Sequence, residues 1–349
     1  MPERTLLLHK HLPELLELEN IIVRADGLLR ASILHWVEMP QIRLPIHGIT
    51  LGSTAPDAPA IGFFGGVHGV ERVGAQIVLS YLRTTVERMR WDPLFREQLQ
   101  HVRLVFLPMV NPGGIWRHTR ANPNGVDLMR NAPIDAMGKA PLLLGGHRYG
   151  PWLPWYRGRQ GAPMEPESLA LIALARAELM NAPFSLSVDV HSGFGARDRL
   201  WFSYARTHRP IDHLAEVYAL EMLFDRTHPF HHEYTVEPQS VNYTTHGDLW
   251  DFLYDESRRN NNDRIFLPFT LELGSWLWVK KNPWQLLRMF GMFNPILRHR
   301  LKRVLRQHTL LLDFLVRAAA CWQTWTPTGA TRERLAQEAL RHWFISKET

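Results

Sequence analysis

His68-Gly69-Val70-Glu71 sets an imidazole and a carboxylate three residues apart, two donors of the kind a zinc ion takes. A catalytic zinc site uses three protein donors and keeps one position for water, so a third donor beside this pair would make metal-assisted hydrolysis the chemistry to expect. The spacing alone selects nothing, because it recurs at His11/Glu14, His35/Glu38 and His213/Glu216. Context separates the copies. His11/Glu14 falls in a charged N-terminal helix. His213/Glu216 falls in a helical pattern and reads as a solvated face. His35/Glu38 lies in an extended stretch, where positions three apart face opposite sides. Only His68/Glu71 follows an apolar strand, Ile61 to Gly66, that ends in glycines. Open α/β sheets place their sites just beyond such strand ends.

A second strand end supplies the third donor. Ser187-Val188-Asp189-Val190 leads into His191-Ser192-Gly193. Asp189 is placed to orient a metal-binding histidine, or simply to cap the turn. A third apolar run, Phe269-Thr270-Leu271-Glu272-Leu273, contains a carboxylate, which is costly to bury without compensation. Glu272 reads either as half of a buried ion pair or, with the metal candidate beside it, as a general base whose pKa burial raises. Arg120 and Arg130 lie in a long irregular segment. A guanidinium can stabilise a developing oxyanion, which suits Arg120, or grip a carboxylate by two parallel hydrogen bonds, which suits Arg130. The same arginines also fit the surface of a long loop.

The elements that must hold these residues alternate between strand-like and helical patterns. Val102–Val110, Phe184–Val190, Leu200–Tyr204 and Ile265–Leu273 read as strands, and Val73–Val86 and Glu167–Met180 as helices. Nearly continuous apolar strands imply cover on both faces of the sheet. The predicted fold class is α/β: a three-layer α/β/α sandwich with a mixed, largely parallel central sheet. Residues 111–166, rich in Pro, Gly, Asn and Arg, form a long irregular stretch of the kind usually reserved for function. The expected organisation is a small β-rich segment over residues 1–50 packed on the catalytic domain, a catalytic domain over 51–320, and a helical extension over 321–349.

The chain has 349 residues and a net charge of +6, which permits an acidic substrate without calling for nucleic acid. One cysteine, Cys321, excludes an intramolecular disulfide and reads as a buried structural thiol. The N-terminal apolar run is short and interrupted by charges, and no stretch has the apolar length of a membrane span. A cytoplasmic location is expected. Arg298 to His308 is a basic cluster on a long C-terminal helix, read as the solvated face opposite a buried stripe of Leu297, Leu301, Leu305 and Leu312.

From about Gly62 to Trp276 the chain resembles the zinc carboxypeptidase family, the carboxypeptidase A-like metallopeptidases. The pieces that carry the resemblance are GGVHGVE, FLPMVNPGG, TRANPNGVDLMRN, MEPES, DVHSG and LELG, in that order. It implies one Zn2+ per chain on His68, Glu71 and His191, and a peptide or small amide substrate with a free carboxylate. It implies further that Glu272 activates the zinc-bound water as general base and that Arg120 holds the oxyanion. Arg130 would bind the terminal carboxylate, and Tyr243, in a Y-x3-G-x3-D spacing with Gly247 and Asp251, would close over the substrate on a mobile loop. Trp250 would floor the side-chain pocket and disfavour Lys or Arg there. The implied activity is removal of a C-terminal residue, with deacylation of N-acyl amino acids by a related zinc amidohydrolase as the alternative. The chain departs from the family at Met129, where the usual Asn could donate a hydrogen bond, and at Val70, where digestive members carry Arg. Met129 implies a weaker or rearranged grip on the carboxylate. With no signal or long activation segment recognised in the sequence, the expectation is a likeness to a bacterial intracellular branch of the family.

Overall fold

Strands without polar alternation have to be covered on both sides, and here four of them occupy the middle of one sheet. β3 (Ala60–Gly65), β4 (Arg103–Leu107) and β5 (Phe184–Ser192) are buried over their whole lengths, and β8 (Ile265–Leu273) over most of its length. β1 (Arg30–Met39), β2 (Ile42–Gly52), β6 (Asp198–Phe202) and β7 (Tyr234–Pro238) complete an eight-stranded sheet of order β1-β2-β4-β3-β5-β8-β6-β7. The core block β4-β3-β5-β8 is parallel, and β1, β2 and β6 join by antiparallel pairings. The structure is a computed structural model that describes residues 3–260, 263–287 and 290–345.

Twelve α-helices lie among the described residues: α1 (Glu3–His11), α2 (Pro13–Arg24), α3 (Arg72–Trp91), α4 (Pro93–Gln100), α5 (Pro112–Arg117), α6 (Pro166–Glu178), α7 (Leu214–Thr227), α8 (Leu249–Asn260), α9 (Trp276–Lys281), α10 (Arg298–Ala320), α11 (Trp322–Trp325) and α12 (Gly329–Leu340). α3 and α10 pack against each other and against β3 and β5; α6 and α8 pack together, with α8 also on β8. The expected mixed, largely parallel sheet between helical layers is the fold observed.

Three expectations need correction. The segment before Thr50 is not a separate β-rich piece. Its first half is helical, with the stripe Leu15, Leu18 and Ile21 of α2 buried, and α2 packs on α3. Its second half belongs to the central sheet: β2 crosses the expected boundary and pairs β4 from Ile49↔Phe106 to Gly52↔Arg103. The buried face of α10 is Val304, His308, Leu311, Leu312 and Leu315, so His308 lies inside the basic cluster but not on its solvated side. Cys321 is exposed, because it follows the last turn of α10 where the chain turns into α11.

Glycine decides how closely the first helix of the core can approach the sheet. Gly74, in the first turn of α3, sits where a Cβ would stand 2.2 Å from the carbonyl oxygen of Val190 on β5. That contact lies next to His191, so it fixes the distance between the two strand ends. Gly74→Ala must push α3 off β5, and is expected to destabilise the fold by about 2 kcal/mol or more. A thermal unfolding scan reads this as a lower Tm than that of the parent protein.

Candidate metal centre and cleft

β3, β5 and β8 run parallel, so their carboxyl ends arrive at one edge of the sheet. His68 and Glu71 follow β3, His191 ends β5, and Glu272 sits near the end of β8 in register with His191. Parallel neighbours in register point to the same face, so Glu272 projects beside His191.

The first three side chains converge. His68 Nδ1 lies 2.9 Å from Glu71 Oε1, His191 Nδ1 lies 3.2 Å from His68 Nδ1, and His191 Nδ1 lies 3.2 Å from Glu71 Oε2. Ligands at zinc-binding distance in a tetrahedral site stand about 3.3 Å apart, so this triangle has the size such an ion needs. The residues fit zinc in donor type as well: two imidazole nitrogens and one carboxylate, all buried. The other three His/Glu copies make no such set. Glu14 pairs with Arg72, Glu38 with Arg43 and Glu216 with Arg332. His213 and Glu216 are buried, not the solvated face expected: His213 packs on Tyr254 of α8, and Glu216 faces Arg332 of α12.

Carboxylates back both imidazoles. His68 Nε2 lies 3.0 Å from Asp127 Oδ1, and His191 Nε2 lies 2.9 Å from Asp189 Oδ2. The first is a hydrogen bond; the second is within ion-pair distance but off the line a hydrogen bond needs. Such partners orient a metal-binding ring and leave its other nitrogen facing the ion. The indole N–H of Trp250 donates to Asp189 Oδ2 at 3.0 Å. Glu71 is held from behind by the backbone N–H of Ser192, 2.9 Å from Oε2.

Arg120 points inward. Its Nε donates to Asp127 Oδ2 at 2.8 Å and a terminal nitrogen reaches Glu71 Oε1 at 3.2 Å. Arg130 is buried and donates to the carbonyl oxygens of Leu144 and Met129. Arg130 lies beside the Tyr243 phenol, whose pKa burial raises and the guanidinium opposes. All three line a cleft of ≈ 420 Å³ together with His68, Glu71, His191 and Glu272. Leu144, Pro154 and Trp155 of the irregular segment form part of its wall. Met129 and Val70, where the chain departs from the family, also line it.

Trp250 does not floor the cleft. α8 begins at Leu249, and its first turn carries Trp250 away from the cavity to pack edge-on against Phe64. Asp248 lines the cleft instead, with Oδ1 accepting the first N–H groups of α8 from Trp250 and Asp251. Sequence reading also missed Asp127, which caps the short helical turn Leu128–Arg130 and holds both His68 and Arg120. An Asp after Gly-Val in a glycine-rich loop reads as a turn residue; only its place before Arg130 marked it out. Asn294 was missed too. It accepts from the N–H of Val73 and donates to the carbonyl oxygen of Val70, pinning the His68–Glu71 turn.

The electrostatics are strongly unbalanced. Burial pushes Glu272 up to about 8, and the neighbouring Glu71 carboxylate adds to the effect. Burial also opposes the charge on Glu71 and Asp127. His68 and His191 nevertheless hold Glu71 well below the usual carboxylate range, and Arg120 and His68 do the same for Asp127. Burial disfavours a charged His191, but Asp189 and Glu71 outweigh it and raise its pKa.

The family profile described as zinc carboxypeptidase, Peptidase_M14, matches residues 43–277. Among curated proteins, Carboxypeptidase SOL1 of Arabidopsis thaliana is 36% identical over 75 residues, covering 22% of this chain and 15% of that protein. Carboxypeptidase D of Mus musculus is 24% identical over 151 residues, covering 41% of this chain and 9% of that protein. The matched portions are thus a small part of those relatives' lengths. Among solved structures, thrombin activatable fibrinolysis inhibitor aligns with a TM-score of 0.64 at 16% identity, over 86% of this chain and 72% of that one. The carboxypeptidase A of Helicoverpa armigera aligns with a TM-score of 0.60 at 15% identity, over 87% and 72%. These likenesses show the fold.

A zinc ion taking His191 Nδ1 must displace a proton that Glu71 favours there, while Asp189 stabilises the charged ring from the Nε2 side. Zinc affinity is therefore expected to fall as pH drops through the raised His191 pKa, by about tenfold per pH unit for each proton displaced. Competition with a chromophoric chelator between about pH 5 and 8 checks this. An affinity that does not change over that window contradicts the assignment of His191.

Proposed function

The chain belongs to the zinc carboxypeptidase family, and on that premise we propose that it removes the C-terminal residue of a peptide by metal-assisted hydrolysis, with one zinc per chain. The observation that carries the reading is the register of β5 with β8, which sets Glu272 beside His191 and the His-Glu-His triangle. Zinc, when bound on His68, Glu71 and His191, supplies a Lewis acid that acidifies a water and favours the ionised form of nearby carboxylates.

The chain's own residues account for the rest. Glu272, held by the N–H of Phe194 at 3.0 Å from Oε1, takes a proton from the attacking water and delivers it to the leaving amine. Arg120 donates to the carbonyl oxygen as negative charge develops on it, its guanidinium kept in place by Asp127. Arg130 and Tyr243 hold the terminal carboxylate at the far side of the cleft. Met129 offers no donor there, so Arg130, already tied to two backbone carbonyls, carries that contact with Tyr243. Phe194, Trp201 and Phe293 give the cleft an apolar surface for the departing residue.

The family match and the Arg130–Tyr243 pair support peptide hydrolysis over deacylation of N-acyl amino acids. Among the described residues, no helix is long and apolar enough to cross a membrane. The single cysteine supports work in a reducing compartment such as the cytoplasm.

Glu272→Gln is expected to keep its zinc and lose about 100- to 10 000-fold in kcat, the range a positioned acid–base group contributes. Metal analysis and dipeptide hydrolysis read the two quantities separately. Full activity in the zinc-loaded variant would remove Glu272 from the reaction.

A further inference from the structure

Between Leu273 and Leu312 the sequence has eight Lys and Arg residues and not one Asp or Glu. This stretch carries more positive charge than the whole chain's +6. It also carries a run of exposed apolar side chains. Trp276, Leu277, Trp284, Leu286 and Leu287 are all exposed, Trp284 by 76% and Leu287 by 78%. Single exposed leucines are ordinary, but five large apolar side chains within twelve residues form a patch that calls for a partner.

The charges frame the patch. Lys280 and Lys281 end α9 and are exposed. Arg300 donates to the carbonyl oxygen of Trp278, which fastens the start of α10 beside α9. The exposed Arg298, Lys302 and Arg303 are thereby brought to the same region. Among the described residues none of these five cations forms an ion pair with an acidic side chain.

We propose that this face docks the protein on an anionic lipid bilayer. Hydrocarbon rewards burial of Leu286 and Leu287, tryptophan favours the boundary between lipid and water, and unpaired lysines and arginines gain from anionic headgroups. Nucleic acid would satisfy the charge but has no use for exposed leucines. The face adjoins the cleft: Met292 and Phe293 line the cleft, and the Trp276 indole donates to the carbonyl oxygen of Gly193, two residues beyond His191. Docking would therefore set the cleft mouth at the membrane surface, where peptides held at the bilayer reach it.

The test is co-sedimentation of the zinc-loaded full chain with vesicles of phosphatidylcholine, alone and mixed with phosphatidylglycerol. Binding is expected to the mixed vesicles, to weaken with salt, and to be weak with phosphatidylcholine alone. Leu286→Ser/Leu287→Ser and Lys280→Glu/Lys281→Glu should each lower it about tenfold or more. Zinc content and hydrolysis of a soluble dipeptide should stay unchanged, which shows that the variants are folded. No sedimentation with the mixed vesicles, or binding that neither variant weakens, overturns the proposal. So does a change of oligomeric state in the leucine variant without vesicle binding, which would make the face a contact between copies. Tight binding to a DNA duplex with indifference to vesicles overturns it as well.

Discussion

Four carboxylates, Glu71, Asp127, Asp189 and Glu272, are buried around one point at the end of the parallel strands. Arg120 and Arg130 are the guanidinium groups that face them. Burying an uncompensated carboxylate is expensive, and two guanidinium charges fall short of the buried carboxylates here, a deficit that a divalent cation would reduce. Burial and the Glu71 carboxylate favour the neutral form of Glu272, and Asp189 and Glu71 favour the charged form of His191. A cation on the His-Glu-His triangle would oppose both tendencies, taking the His191 nitrogen and favouring the Glu272 carboxylate. Metal affinity and the readiness of Glu272 to accept a proton are thus two readings of one electrostatic imbalance.

The fold bears the cost of this arrangement through backbone geometry. Parallel pairing of β3, β5 and β8 brings three strand ends to one edge without loops having to reach across the sheet. Close approach at Gly74 and at Gly69, where a Cβ would stand 2.0 Å from the carbonyl carbon of Gly114, locks the His68–Glu71 turn against its neighbours. Gly247, at φ +71, brings the segment that carries Tyr243 and Asp248 onto the backbone of Arg130. Glycine at these contacts lets the backbone segments approach more closely than any Cβ would allow.

Much of this was legible in the sequence, and the reason is physical. Buried parallel strands are continuous apolar runs, so Phe184–Val190 and Ile265–Leu273 stood out, and the polar residues at or near their ends stood out against them. His68, Glu71, His191 and Glu272 were found that way, and Asp189 with them. Residues in loops carry no such contrast. Asp127 and Asp248 are helix-capping aspartates in turn-forming sequence, and capping gives the same signature whether or not the other oxygen serves a site. Trp250 was misplaced because one turn of helix, starting at Leu249, decides which way it faces. The N-terminal helices were underread because the stripe Leu15, Leu18, Ile21 is short, and the edge strands beyond it looked like a unit of their own. Cys321 was judged by its apolar neighbours, although the end of a helix exposes what its middle would bury.

The central claim is that His68, Glu71 and His191 hold the metal through the nitrogens that Asp127 and Asp189 leave free. A crystal structure of the zinc-loaded protein, with anomalous diffraction collected at the zinc edge, tests it most directly. The account predicts one peak per chain, within about 2.0–2.2 Å of His68 Nδ1, His191 Nδ1 and a Glu71 oxygen, with Asp127 and Asp189 still on the Nε2 atoms. A peak on other residues, coordination through Nε2, or no peak at saturating zinc would contradict it.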